Sequence, residues 1–317
     1  MNRPRVLQIG PITPPLDAKL PELVDLHPLW KEVNPAQFLA EHGAEFKGIV
    51  THVRHACPAS LLAALPQVGA ISSFGAGYDK IDMAAAYQRG IQVANTPNVL
   101  NGCVADLALG LMIDVARGLS ATDRFVRRGD WAKGQQRPLM TRVAGKKVGL
   151  IGFGGIGQTI AKRVAGFEMD VRYHTRRPVP GVSQLHMPDL MALARWADFL
   201  VVACIGGPTT QHLVSAQVLQ ALGPEGILVN IARGSVVDEA ALVTALKDGL
   251  IFGAGMDVFE NEPNVPDDLM ALDNVVMMSH IAGFTRESRL EMEQLVCDNL
   301  MAYFETGKVL TPVESAF

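Results

Sequence analysis

From Lys146 onward, short runs of branched apolar residues alternate with longer stretches in which apolar positions recur every three or four residues. KKVGLIGFG (146–154), MDVRYHTR (169–176), DFLVVACI (198–205), GILVNIAR (226–233), GAGMDVF (253–259) and NVVMMSHIA (274–282) are rich in Val and Ile, are too short for helices, and predict strands. IGQTIAKRVAG (156–166), PDLMALARWA (188–197) and DEAALVTALKDG (238–249) lie between them and predict helices. The last opens on Asp238 as an N-cap and closes at Gly249. Apolar strands alternating with amphipathic helices predict a doubly wound α/β domain, a parallel sheet covered on both faces.

The first hundred residues repeat the rhythm more weakly. VLQIG (6–10), GIVTH (48–52), VGAISSFGAG (68–77) and IQVANTP (91–97) are strand candidates separated by helical segments, which predicts a second, smaller α/β domain. Two apolar helical stretches, VADLALGLMIDVARGL (104–119) and ESRLEMEQLVCDNLMAYFETG (287–307), flank the later domain. The simplest reconstruction makes them the passages between domains. Residues 1–98 and 288–317 then form one discontinuous domain around an insert at 99–287. RFVRRGDWAKGQQRPLMTRVAG (124–145) is polar, carries Trp131 and fits neither period, as a solvated loop would.

A length of 317 residues supports two such domains. The formal net charge of −4 and pI near 6.1 give no field that would draw a polyanion, which argues against a nucleic-acid partner. No run reaches membrane-spanning length without a charge, Gly or Pro, and the amino terminus lacks the apolar core of a signal peptide. Cys57, Cys103, Cys204 and Cys297 have no metal-like spacing. The expectation is a soluble cytoplasmic protein with reduced thiols, no metal and a small-molecule ligand.

Gly152-Phe-Gly-Gly-Ile-Gly157 follows a predicted strand and opens a predicted helix, the setting in which GxGxxG binds a dinucleotide. Gly152 permits a tight turn, Gly154 a close approach of the pyrophosphate, and Gly157 close helix–strand packing. The main chain of Phe153, Gly154, Gly155, Ile156 and Gly157 is thus the expected cradle, with the phosphate charge at a helix N-terminus. The ensuing strand ends Tyr173-His-Thr-Arg-Arg177. Thr175 stands where NAD-selecting proteins carry an acid, and Arg176 and Arg177 follow. A hydroxyl and two guanidinium groups can donate to a 2′-phosphate that a carboxylate would repel, which predicts NADP(H).

Three further segments, NIARGSVVDEAAL (230–242), GAGMDVFENEP (253–263) and MMSHIAG (277–283), carry Arg233, Glu262 and His280. A cation and an acid–histidine pair behind a dinucleotide loop suit hydride transfer to a 2-keto acid. The imidazole exchanges a proton, the carboxylate orients it and favours its protonated form, and the guanidinium engages the substrate's carboxylate and carbonyl. These segments resemble the D-2-hydroxyacid dehydrogenase family, over about residues 44 to 306. The resemblance implies a Rossmann cofactor domain inserted in a discontinuous flavodoxin-like substrate domain. It also implies cofactor contacts from Pro208, Ile231, Ala232 and Gly283, and an aspartate, Asp257, that positions the nicotinamide amide; helix N-capping is the competing role for Asp257. Gly75, Ala76 and Gly77, within SSFGAGYD (72–79), would bind the substrate carboxylate through the main chain, with Arg54 a further cation. Gly155 departs from the family, where an arginine reaches the pyrophosphate. In that family the 124–145 region wraps a partner subunit, which implies a homodimer.

The resemblance implies NADPH-dependent reduction of small 2-keto acids such as glyoxylate or hydroxypyruvate to D-2-hydroxy acids. Phenylpyruvate-like and sugar-derived keto acids are reduced by relatives with the same motifs. Transcriptional corepressors of the same fold keep the triad and sense dinucleotides without turnover, and form the alternative of a different class.

Overall fold

Strands with Val, Ile and Leu on both faces need a sheet covered on both sides, and the apolar runs meet that condition in a computed structural model, which describes residues 3–313. The chain divides into two compact units, Met1–Leu100 with Thr285–Phe317, and Asn101–Phe284.

The first unit contains β1 (Arg5–Gln8), β2 (Asp25–Pro28), β3 (Gly48–His52), β4 (Ala70–Phe74) and β5 (Gln92–Ala94), all parallel in the order β2-β1-β3-β4-β5. This is the flavodoxin-like order. Neighbouring residues go to opposite faces: Leu7, Ile49 and Ile71 pack with Phe46 and Leu62, whereas Val6, Val50 and Phe74 pack with Leu16, Val296 and Leu300. Both faces being apolar, the strands show no polar alternation. Strand β2 has no counterpart in the sequence reading, because an edge strand with one neighbour needs no apolar run; its residues are Asp-Leu-His-Pro. The helix Arg286–Thr306 belongs to this unit, capped by the Thr285 hydroxyl accepting from Ser288 N–H.

The second unit contains β6 (Lys147–Ile151), β7 (Asp170–His174), β8 (Leu185–His186), β9 (Phe199–Val202), β10 (Ile227–Asn230), β11 (Gly253–Met256) and β12 (Val275–Met277). All are parallel, in the order β12-β11-β10-β9-β6-β7-β8. The order reverses between β6 and β9, and in such sheets ligands bind at the carboxyl ends of the strands flanking the reversal. The expected Asp238 cap forms, its carboxylate accepting from Ala241 N–H at 3.0 Å, and the chain leaves that helix through Gly249 at φ +66°.

Two differences stand out in this unit. Strand β8 is only two residues long, below what a pattern of apolar positions can reveal. The segment 124–145 is not loop throughout: Arg124–Arg127 close a helix, Leu119–Arg127, that buries Ala121 and Phe125. Leu119 and Val126 are apolar but exposed and its remaining positions are polar or charged, so the apolar residues do not mark one buried face. Beyond it the chain runs in turns and irregular backbone, with Trp131 and Leu139 exposed.

Among the described residues no helix is long and apolar enough to cross a membrane, and no group of three or more His, Cys, Asp or Glu could hold a metal ion. None of the four cysteines is in a disulfide, and burial pushes the Cys57 thiol up to about 12 and that of Cys204 to about 11.

Candidate active site

Arg233, Glu262 and His280 follow the carboxyl ends of three adjacent strands, β10, β11 and β12. The imidazole Nδ1 of His280 lies 2.8 Å from Glu262 Oε2, with both side chains about a quarter to a third exposed. The second carboxylate oxygen, Oε1, accepts the Phe259 N–H at 3.2 Å, so main chain fixes the rotation of the carboxylate. Because Nδ1 faces the acid, Nε2 is the ring nitrogen left to exchange a proton with a ligand.

His280 has a left-handed backbone, φ +58°, unusual for a residue with a side chain. The turn is held in that state by Asp257. Its main-chain carbonyl accepts His280 N–H at 2.8 Å, and its carboxylate oxygens accept Ile281 N–H at 2.7 Å and Ala282 N–H at 3.0 Å. Asp257 is fully buried, and desolvation raises its carboxyl above the ordinary range against the opposing pull of the two N–H bonds. No helix begins at Asp257, so it is not an N-cap. Its carboxylate clamps the turn that presents the histidine.

Arg233 lies three residues beyond β10 in extended backbone, φ −142°, and its Nη1 donates to the Ala232 carbonyl at 2.7 Å. Its aliphatic stem lies on Gly206, where a Cβ would stand 2.6 Å from Arg233 Cγ. Gly206 thereby supplies the space that aims the guanidinium.

The glycine turn connects β6 to the helix Gly155–Val164. Gly152 has φ +94°, and a Cβ there would stand 2.7 Å from the Ala203 carbonyl; one on Gly157 would stand 2.6 Å from Gly152 O. Both positions therefore exclude side chains. Around Gly154 the opposite holds: no heavy atom lies within 4 Å of where its Cβ would be, and Gly154 and Gly155 are exposed. A turn closed against its own sheet and open at the helix N-terminus fits a pyrophosphate. Phe153 is buried and stacks on Tyr173 with ring centroids 4.2 Å apart, so only its main chain is offered to a ligand. Ile156 is partly buried in the first turn of the helix.

At the end of β7, Arg176 and Arg177 are exposed, and the Thr175 hydroxyl donates to the Arg177 carbonyl at 2.6 Å. Ring nitrogens fasten this turn to β8, His186 Nε2 lying 2.9 Å from the Thr175 carbonyl and His174 Nδ1 2.9 Å from that of Met187. Pro208 opens a short 3₁₀ turn, Pro208–Thr210, beyond β9. The side chains of Ile231 and Ala232 are buried, so what they present is main chain, and Gly283 follows the His280 turn. The glycine turn, Thr175, Pro208, Arg233, Glu262 and His280 are thus all at the carboxyl edge of one sheet.

In the first unit, Gly75 has φ +121°, and a Cβ there would stand 2.5 Å from Val53 Cγ1. Its N–H donates to the Thr96 hydroxyl, its carbonyl accepts Thr96 N–H, and the Ala76 carbonyl accepts from Asn95 Nδ2 at 2.7 Å. Fixing these carbonyls orients the loop at Ala76 and Gly77. Arg54 is exposed at the end of β3, its N–H donating to His52 Nδ1 at 3.1 Å.

The sequence reading missed the groups that hold these side chains. Gly206 was visible only as part of a Gly-Gly-Pro turn, and the hold of Asp257 on Ile281 and Ala282 spans 24 residues. A second imidazole–carboxylate pair, His212 with Glu260, was not singled out, because its members are 48 residues apart.

The model of the D-isomer specific 2-hydroxyacid dehydrogenase NAD-binding domain matches residues 109–282. Over 308 residues the chain is 41% identical to glyoxylate/hydroxypyruvate reductase A of Arabidopsis thaliana, covering 97% of this chain and 98% of that one. It is 43% identical over 312 residues to 2-ketogluconate reductase of Gluconobacter oxydans, covering 98% and 99%. A solved structure, the NADPH-dependent glyoxylate/hydroxypyruvate reductase of Sinorhizobium meliloti in complex with NADP and malonate, matches with a TM-score of 0.89 at 41% identity, covering 98% and 97%.

Proposed function

Because the chain belongs to the D-isomer specific 2-hydroxyacid dehydrogenase family, we propose that it reduces small 2-keto acids, glyoxylate or hydroxypyruvate foremost, to D-2-hydroxy acids with NADPH. The observation that carries this reading is the Glu262–His280 pair at 2.8 Å, which shares with Arg233 the carboxyl edge of the sheet that bears the glycine turn. When bound, the nicotinamide supplies the hydride. His280 donates a proton from Nε2 to the substrate's keto oxygen and becomes a neutral imidazole whose Nδ1–H stays on Glu262. Arg233 engages the carboxylate and the carbonyl of the acid with a planar fork that also fixes its orientation. Asp257 and Gly206 hold His280 and Arg233 in place.

The cofactor is held by the main chain of Phe153 to Gly157, with Pro208, Ile231, Ala232, Asp257 and Gly283 toward its nicotinamide half. Thr175, Arg176 and Arg177 take the 2′-phosphate. Arg54, Gly75, Ala76 and Gly77 are the proposed substrate residues of the other unit. Turnover is supported over a corepressor-like sensor by relatives at 41% and 43% identity that are reductases. The relative acting on 2-ketogluconate favours a second reading, reduction of a larger sugar-derived acid by the same machinery. The 101–284 unit exposes Leu119, Val126, Trp131 and Leu139 along one segment, which supports a homodimer formed there, and four cysteines outside any disulfide accord with the cytoplasm.

Steady-state reduction of glyoxylate, hydroxypyruvate, hydroxyphenylpyruvate and 2-ketogluconate, each with NADPH and with NADH, tests the proposal. The expected result is NADPH-dependent turnover of the two small acids. No turnover of any keto acid with either cofactor would refute it.

A further inference from the structure

The second unit holds a second imidazole–carboxylate pair that the chemistry above does not use. His212 Nε2 lies 2.7 Å from Glu260 Oε1. The Glu260 N–H in turn donates at 3.2 Å to Glu239 Oε2, a carboxylate buried in the first turn of the helix Glu239–Lys247. One residue earlier, the Phe259 N–H is the donor that orients Glu262. The same stretch of backbone presses on the residue after Arg233, since a Cβ on Gly234 would stand 1.9 Å from the Phe259 carbonyl carbon. His212 is itself anchored: its N–H donates to the Ser235 carbonyl at 2.8 Å, Val214 N–H to that of Val236 at 2.9 Å, and its backbone is left-handed at φ +48°. Three segments, 212–214, 234–237 and 259–262, are therefore tied together at one place. Arg233 leads into it and Glu262 leads out of it.

We propose that His212 and Glu260 form an ion-pair latch that positions Glu262, and through it His280, so that His212 is a positioning residue for the reaction proposed above, on which this inference rests. The charged groups facing the imidazole are Glu260 and Asp238, and behind Glu260 stands Glu239; all three are acids. The hydrogen bond that the ring donates to the Glu260 carboxylate holds His212 above its ordinary imidazole value, and Asp238 acts in the same direction. The sign follows: a group whose folded value is raised lends its stabilisation below the ordinary value and loses it as pH rises through the raised one. Deprotonated, His212 no longer offsets the repulsion between Glu260 and Glu239. The backbone from Phe259 to Glu262 then loosens, and the dyad loses its alignment on the alkaline side for a reason separate from its own proton.

Hydrogen–deuterium exchange of the peptide 257–265 in the full-length protein, corrected for intrinsic exchange and followed across pH, reads the latch without any substrate. Exchange should step up roughly two- to fivefold as His212 deprotonates, the scale that an exposed ion pair supports. Glu260→Gln and His212→Gln should abolish the step, whereas His212→Lys, a fixed cation, should keep exchange slow to higher pH. Glu260→Gln should also lower kcat about tenfold through misalignment of the dyad, with the Kd for NADPH unchanged. A wild-type peptide with no pH step, or a step that survives in Glu260→Gln, would overturn the latch. A clear step in a protein that reduces no keto acid would uphold the latch and overturn the reaction instead.

Discussion

Arg233 owes its aim to a neighbour with no side chain. Gly206 admits the aliphatic stem, and the Ala232 carbonyl takes one guanidinium donor. Arg233→Lys keeps the charge and loses the fork, whereas Gly206→Ala keeps the fork and moves it. Both should lower kcat/KM for keto acids by about a hundredfold or more in the first case and roughly tenfold in the second, with dinucleotide affinity nearly unchanged. A near-wild-type lysine variant would reduce Arg233 to a diffuse positive charge. Glu262 sets the orientation of the His280 ring through Nδ1, with Phe259 N–H fixing the carboxylate. Glu262→Gln should therefore lower kcat for reduction about tenfold or more, with the Kd for NADPH unchanged. A glutamine variant with wild-type kcat would assign the orientation of the ring to another group.

At the scale of elements, the turn after β7 makes the most specific claim. Thr175, Arg176 and Arg177 sit on a turn fastened to β8 by His174 and His186. Preference for NADPH over NADH should be at least about tenfold, or roughly 1.4 kcal/mol. Replacing Thr175 by Asp together with Arg176 by Ser should reduce or reverse it, chiefly through the KM for NADPH. Equal use of both cofactors by the wild type would return the two arginines to the status of a solvated turn. The strands β6 and β9, at the middle of the same sheet, show what a sequence makes legible. Val148 to Ile151 and Phe199 to Val202 are buried on both faces, so their composition alone marks them as inner strands. The edge strands β2 and β8 escape notice because they are short, have one neighbour each, and include Asp25, His27, Pro28 and His186. The dyad was legible because its residues stand in short motifs after strands. Asp257 was visible as a residue, but its hold on the His280 turn was not, and neither Gly206 nor the His212–Glu260 pair declares a role before the chain is folded.

For the whole molecule, the exposed apolar side chains of the 119–139 segment predict association. Sedimentation at micromolar concentration should give a dimer, and replacing Trp131 and Leu139 together by Asp should shift it to monomer without loss of helix content. A wild type that sediments as a monomer would remove the dimer. In the proposed mechanism Arg233, Glu262 and His280 perform acid-assisted reduction of a keto acid on a cofactor held by separate residues. The most direct test of that mechanism is a single turnover, in which enzyme preloaded with NADPH is mixed with hydroxypyruvate and cofactor oxidation is followed in wild type and His280→Ala. The expected products are D-glycerate and one equivalent of oxidised cofactor per wild-type site. In the variant the rate should be lower by about 10²- to 10⁴-fold, with the Kd for NADPH unchanged. A variant that oxidises NADPH within a few-fold of the wild-type rate would contradict it.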